Sequence, residues 1–386
     1  MHVLFISSWW PTVVHPTNGN FVEKHARLMG RRHTLTVMAV QDDVSLEAFE
    51  LKLSIKETES YTQYIMYYGR RSGTFGFLHL LNRMRAYFVC WRKIRFSIPR
   101  LPHLIHGHIL VDGGIVAAIL GRRYNIPVAI TEHASIWSDS DSIGQLKHRL
   151  AKWACATASI ILPVTYQLGR RMQEGHDLRG RYRTISNVVD DQLFTYKEKQ
   201  NRKREPLRLL HVSNFDPRFK NVAGLLSVFA KLKTQNPDLY HLTLAGDGDR
   251  SEVEAWIHHA GLLKSEVCVS GPHTESEVAD LMAAADVFVL FSDQENQPVV
   301  LLEAQCCGLP CIATRVGGVE RIIIEGVTGY LVDPGDEAAL EATVKRIHKS
   351  FGQFDRQAIS DRATALYGNK AVANQMDEVY SQIVDG

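Results

Sequence analysis

The sequence is short of several things, and each shortage excludes a class of protein. Six cysteines in 386 residues (Cys90, Cys155, Cys268, Cys306, Cys307, Cys311) form no paired CxxC spacing, which argues against a disulfide framework and against a zinc site. The expectation is a reduced compartment, an adjacent Cys306 and Cys307 that act as small apolar helix residues, and no bound metal. With 27 Gly and 13 Pro the chain is neither fibrous nor of low complexity. No apolar run reaches the roughly 18 residues of a membrane-spanning helix; the best stretch, Ile109 to Leu120, is cut by Asp112 and two glycines. The chain opens on the apolar run Val3 to Ile6 and lacks the charged n-region and small-residue cleavage site of a secretory signal. A cytoplasmic location is therefore expected.

What is present is ordinary globular material, 45% hydrophobic and 22% charged, in a length that predicts two or three domains. The net charge of +2 hides an asymmetry. Residues 1–200 carry 26 Lys/Arg against 16 Asp/Glu, a net of +10, and residues 201–386 carry 18 against 26, a net of −8. A basic first half points to an anionic partner, with nucleic acid and a phospholipid surface as the usual candidates.

Short apolar, β-branched runs alternate with longer amphipathic segments, which predicts an α/β protein with βα units around parallel sheets. The runs are Val3 to Ser7, Thr34 to Ala39, Leu104 to Gly107, Pro127 to Thr131 and Ile160 to Val164 in the first half. In the second they are Leu207 to Val212, Leu242 to Ala245, Val287 to Phe291 and Cys311 to Ala313. The polar stretch Tyr196 to Pro206 has no hydrophobic periodicity and reads as the interdomain linker. The expected domains are thus 1–195 and 207–366, with a C-terminal helical segment, 367–386.

Gly69 to Arg100 holds eight Lys/Arg and no acid. Apolar spacing through Phe77, Leu81, Met84, Phe88 and Trp91 makes an amphipathic helix. Two readings stand: a helix packed on the first domain with solvated arginines, or an interfacial helix on anionic lipid, through residues 70–100. No motif supports nucleic acid.

The most informative segment is Phe291 to Glu320, FSDQENQPVVLLEAQCCGLPCIATRVGGVE. It reads as strand, loop, helix, glycine stop, strand and glycine-rich loop. Pro298 suits the first helical position, and Gly308 and Pro310 end the helix after about Cys307. The amides of Val299, Val300 and Leu301 would then open a helix at the carboxyl end of a parallel strand, a setting that favours phosphate. Glu295 precedes that helix and Glu303 stands inside it, so two carboxylates can flank one bound phosphate and accept from vicinal hydroxyls. This E-x7-E is the only one in the chain, and its weight comes from the strand, Pro and helix around it.

That segment resembles the E-x7-E region of retaining glycosyltransferases of the GT-B class, family 4 or group 1. HVSNFDPRFKN (211–221) is similar to the family's strand and loop that supply a lysine to the donor diphosphate, here Lys220. AGDGDR (245–250) resembles its next strand and turn, and Gly271, Pro272 and His273 match the loop whose backbone commonly faces the nucleobase. MHVLFISSWWP followed by NGNFVEKHARLM resembles the first strand and glycine loop, which implies that Gly19 and Asn20 approach the donor diphosphate. IHGHI, IPVAITEHA and ISNVVDDQLF also follow the pattern, with His133 where the family commonly contacts the donor sugar. The resemblance covers nearly the whole chain.

Two departures mark this sequence. Asn214 stands where many members have a basic residue, with one extra residue before Lys220, which moves phosphate neutralisation toward Lys220 and Arg218. Asn296, Gln297 and Pro298 replace the common glycine and phenylalanine after the first motif glutamate, which changes what reads the donor-sugar hydroxyls.

The resemblance implies two Rossmann-like domains facing each other across a cleft. It further implies metal-independent transfer of a sugar from a UDP- or GDP-type nucleotide-diphosphate sugar to a hydroxyl, with the anomeric configuration kept and no cofactor. Glu295, Lys220 and His133 would be the catalytic residues. Polysaccharide or glycolipid assembly is the expected setting, with a glycan or lipid-linked acceptor on the basic half and the protein at the inner face of the membrane. A nucleotide-sugar epimerase, or an inactive sugar-nucleotide or lipid-binding module, are the alternatives.

Overall fold

The computed structural model describes residues 1–70, 76–138, 143–198 and 206–386. In chain order the first part contains β1 (His2–Ser7), α1 (Asn20–Gly30), β2 (Thr34–Asp43), β3 (Leu51–Glu57), β4 (Thr62–Gly69), α2 (Gly76–Ser97), β5 (Leu104–His108), α3 (Ile115–Tyr124), β6 (Val128–Glu132), α4 (Gln145–Thr157), β7 (Ile160–Pro163) and α5 (Tyr166–Arg170). The remainder contains β8 (Leu207–Val212), α6 (Val222–Gln235), β9 (Tyr240–Ala245), α7 (Arg250–His259), β10 (Val267–Ser270), α8 (Glu275–Ala284), β11 (Val287–Leu290), α9 (Val299–Cys306), β12 (Cys311–Thr314), β13 (Gly329–Val332), α10 (Glu337–Ser350), α11 (Arg356–Tyr367) and α12 (Asn369–Val384).

The chain divides into two compact units, Met1–Asn187 with Val372–Gly386, and Val188–Ala371. The division falls before the expected boundary at 195. Val189 and Phe194 are buried in the second unit's core, and the Val189 amide donates to the Tyr367 carbonyl at 2.9 Å. The expected linker, 196–206, falls mostly on 199–205, outside the described residues.

Each unit is built on one sheet. The first runs β3-β4-β2-β1-β5-β6-β7, parallel except for β3, which pairs antiparallel with β4. The second runs β10-β9-β8-β11-β12-β13 and is wholly parallel. Apart from β3, both have the doubly wound order in which ligands bind outside the carboxyl ends of the strands, where the winding reverses. Those switch points lie between β1 and β5 and between β8 and β11. The strands β3, β4, β10 and β13 escape the aliphatic pattern because β3 and β4 are largely polar or aromatic (LKLSIKE, TQYIMYYG) and the short aliphatic runs of β10 and β13 are interrupted by Cys and Ser or by Gly and Tyr (VCVS, GYLV).

Helix α2 corrects the amphipathic reading. Its inward face is Asn82, Ala86, Tyr87, Cys90, Trp91 and Ile94, whereas Leu81 and Phe88, assigned to the buried stripe from spacing, are exposed together with Leu78 and Phe96. Apolar side chains occupy both faces, so the spacing marked a helix without marking which face is inside. Arg71 and Phe75, and the side chain of Phe77, lie outside the described residues.

Candidate active site

In the second unit the switch point is held open by a histidine. The β8–β11 ladder pairs only Val287 with Leu209 and Phe288 with Leu210. One residue further on, the His211 side chain replaces the ladder, with Nδ1 at 2.9 Å from the Val289 carbonyl and Nε2 at 2.8 Å from Ser213 Oγ. A carbonyl only accepts, so Nδ1 carries the proton and Ser213 donates to Nε2. Burial lowers the His211 pKa to about 4 and keeps the ring neutral. Ser213 Oγ in turn accepts from the Phe215 amide at 3.1 Å, which starts the loop that carries Lys220.

That loop is tied to the one after β11. The Asp293 amide donates to the Phe219 carbonyl at 2.7 Å, and Lys220 Nζ donates to Glu295 Oε1 at 2.5 Å. Ser292 Oγ donates to the same carboxylate oxygen at 2.9 Å, and Thr314 Oγ1 holds the Ser292 carbonyl at 2.5 Å. The side chains of Lys220 and Glu295 are 18% and 8% exposed, so the pair is largely withdrawn from water. Separation in such a place leaves an uncompensated charge unless a ligand supplies the missing partner.

Helix α9 starts one residue later than expected. Pro298, with φ −68° and ψ 113°, is the non-helical cap rather than the first helical residue, and no side chain caps the helix. The Leu301 amide donates back to the Pro298 carbonyl at 3.0 Å, which removes it from the three amides expected at the helix start. No acceptor among the described residues takes the amides of Val299 or Val300. Glu303 lies within α9 at 4% exposure, and Gly308, at φ +70°, stops the helix as expected. The glycine-rich loop after β12 supports the site from behind: the Gly318 amide donates to the Asn296 carbonyl at 2.9 Å. A Cβ at Gly317, whose φ is +53°, would lie 2.0 Å from the Glu295 carbonyl oxygen.

The other expected donor residues are less engaged. Arg218 is 75% exposed and turned back on Asp216, with Nη2 to Oδ2 at 2.6 Å. Asn214 is exposed and accepts from the Asp216 amide at 3.3 Å. Gly271 and Pro272 are exposed, and His273 Nε2 stands 2.8 Å from Ser270 Oγ ahead of the Thr274–Glu277 capping box of α8. Gln297 is half-buried beside Asn296.

In the first unit Gly19 caps α1 at φ +72°, where a Cβ would meet the Trp9 carbonyl at 2.4 Å, so only glycine fits. Asn20 follows it, exposed, as the first helical residue. His133 is buried, with Nδ1 at 2.9 Å from Asn187 Oδ1 and Nε2 at 3.3 Å from His108 Nδ1. It belongs to a group that sequence reading missed. His108 stacks on His106 at 4.2 Å between centroids, and His25 closes the cluster at 5.7 Å from His133. His106 is held by Tyr380 and Thr131 hydroxyls, each at 2.7 Å. The available signal was the alternation HGH on β5, which puts His106 and His108 on one strand face.

Glu132 was also missed. Its buried carboxylate accepts from the amides of Leu110, His133 and Ala134 and from Trp137 Nε1, at 2.8 to 3.0 Å. Burial pushes its pKa up and these four donors oppose the shift. The loops after β5 and β6 are thereby fastened to one side chain.

Comparison with known proteins defines the class. Residues 194–363 match the family model described as Glycosyl transferases group 1, and residues 19–193 match Glycosyltransferase Family 4. The chain belongs to this GT-B family and is a glycosyltransferase. It is 25% identical over 300 residues to N-acetyl-alpha-D-glucosaminyl L-malate synthase of Bacillus anthracis, covering 73% of this chain and 75% of that one. It is 24% identical to the putative teichuronic acid biosynthesis glycosyltransferase TuaC of Bacillus subtilis over 90% of this chain and 89% of that one. Among solved structures, sucrose-phosphate synthase from Thermosynechococcus elongatus aligns with a TM-score of 0.77 at 19% identity, covering 100% of this chain and 99% of the other. Anabaena HepE in complex with UDP aligns at 0.73 and 18% identity, covering 99% and 100%. Both expectations of the sequence, the family and the GT-B fold, are met.

Proposed function

We propose that this glycosyltransferase moves a sugar from a UDP- or GDP-type sugar nucleotide to a hydroxyl of a glycan or lipid-linked acceptor, with retention of configuration and without a metal. The observation that carries the reading is the withdrawn Lys220–Glu295 pair at the second unit's switch point, beside the uncapped start of α9. A diphosphate can replace the carboxylate as partner of Lys220, and the Val299 and Val300 amides add fixed dipoles where charge develops on the leaving group. Glu295 is then released to the sugar hydroxyls, and Glu303 serves the ribose. HepE, with the same fold, is seen in complex with UDP and with UDP-glucose. Retention follows from front-face attack, in which the departing phosphate oxygen takes the acceptor proton.

A thermal-shift screen against UDP, GDP and their sugars tests the donor class, because a ligand of the folded state raises Tm by mass action. Calorimetry on Glu303→Ala is expected to show donor binding weakened by about 1.5 to 3 kcal/mol; unchanged affinity removes the ribose role. Turnover in excess EDTA tests the metal statement. A product formed without any acceptor would favour epimerisation.

The acceptor side is proposed to meet an anionic membrane through α2, whose exposed face carries Leu78, Leu81 and Phe88 beside Arg85, Arg92 and Lys93. Vesicle sedimentation decides this: binding to anionic vesicles that fades with salt supports it, and equal binding to neutral ones rejects the electrostatic contribution.

A further inference from the structure

The histidine cluster of the first unit has a direction, and one amide sets it. Asn187 Oδ1 lies 2.9 Å from His133 Nδ1. An amide oxygen can only accept, so Nδ1 carries the ring proton and donates. A neutral imidazole has one N–H, which makes His133 Nε2 an acceptor. It faces His108 Nδ1 at 3.3 Å, and His108 must therefore be the donor. That consumes the His108 proton and leaves its Nε2 bare. His108 Nε2 is buried without a hydrogen-bond partner, a less costly vacancy for a lone pair than for an N–H. The two rings lie edge to edge, 5.6 Å apart between centroids and 20° apart in plane, which aligns the two nitrogens.

Burial is the leading cause that holds His108 and His133 far below the ordinary histidine range, and the neighbouring rings add to it. The titratable groups that face them are the rings of His25 and His106, the latter held by two hydroxyls, while the Glu132 carboxylate accepts from three backbone amides and Trp137 Nε1 and from neither ring. Both rings are accordingly neutral, and their tautomers, rather than their charges, decide what they can offer.

We infer that Asn187 is a positioning residue for His133: its amide oxygen fixes which ring nitrogen carries the proton, in His133 directly and in His108 through it, and holds the His133 ring in one orientation for sugar transfer. The inference rests on the reading of His133 as part of the transfer site. Asn187 stands in the segment ISNVVDDQLF, where sequence reading found a family likeness and no role for this residue.

One arm of the test needs no substrate. Long-range proton–nitrogen spectra of 15N-histidine-labelled wild type, assigned with His133→Ala and His108→Ala, are expected to show both residues as Nδ1–H tautomers. An Nε2–H tautomer at His133 overturns the proposal. The second arm follows UDP release from UDP-glucose. Asn187→Ala is expected to lower kcat about tenfold, the worth of one hydrogen bond, with KM for UDP-glucose little changed. Asn187→Asp keeps an acceptor and should recover most of the rate, with a higher His133 pKa that appears as a new acid limb in the pH profile. In a His133→Ala background Asn187→Ala should cost nothing more. A loss that persists there, or full kcat in Asn187→Ala beside an inactive His133→Ala, overturns the inference and leaves the role of His133 standing. A fully active His133→Ala overturns that role and the inference together.

Discussion

At the carboxyl edge of the second unit's sheet an ammonium and a carboxylate meet at 2.5 Å, whereas at the matching edge of the first unit's sheet four histidines pack as neutral rings, one of them held by Asn187. The strand order is the same and the solutions to burying polar groups differ. One edge keeps full charges, which are stable only while each has a partner and which a diphosphate can redistribute. The other holds its histidine rings neutral and stores its information in hydrogen-bond direction. Topology therefore places the sites, and the side chains after the strand ends decide their electrostatic character.

The largest expected effect is acid lability, with four suppressed histidines at the first unit's sheet edge against His211 at the second's. Burial brings His25 to about 4 and His106 to about 3, from an ordinary 6.5. As pH falls below 6.5 the unfolded chain binds protons that the folded rings refuse, so stability present at neutral pH is lost down to the folded values, about 3 to 5 kcal/mol per ring. Urea unfolding followed by tryptophan fluorescence at pH 7.5 and 4.5 reads the first part of it, about 2 to 3 kcal/mol per ring; a midpoint independent of pH would erase the contrast between the two edges.

Next comes the charged edge. Lys220→Ala is expected to reduce sugar transfer about 100- to 1,000-fold through lost leaving-group stabilisation, while Arg218→Ala, whose guanidinium is exposed and turned to Asp216, leaves Tm and nucleotide binding unchanged. Equal losses in both variants would show that the diphosphate is read by the loop as a whole. Smaller again, Gly317→Ala forces a Cβ against the Glu295 carbonyl at a positive φ, and should cost about 1 to 3 kcal/mol of stability together with nucleotide affinity. A variant that loses stability and binds UDP as well as wild type would separate the glycine loop from the site.

Much of the second unit was legible because its signals are local. Glu295, Pro298 and Glu303 lie within one strand–loop–helix turn, so chain geometry alone gathers them at the carboxyl edge, and Gly308 ends the helix that returns to the opposite edge. Even there, the ion pair between Lys220 and Glu295 was not readable, since 75 positions separate the partners and each was assigned a different part of the ligand. The exposed side of α2 was misjudged for a related reason: a helix with apolar residues on two faces has no inside until something packs against it. The histidine cluster was the least visible, because His25, His106, His108 and His133 come from three different segments.

By itself the amino-acid order determined the alternation of strands and helices, the E-x7-E turn, the glycines that only tight backbone turns admit, and with them the family. Those are consequences of neighbours along the chain. Tertiary structure alone decided that Lys220 rests on Glu295, that Glu132 gathers four donors, and that an asparagine 54 positions away orients His133, because hydrogen bonds and buried charges depend on distances that folding creates.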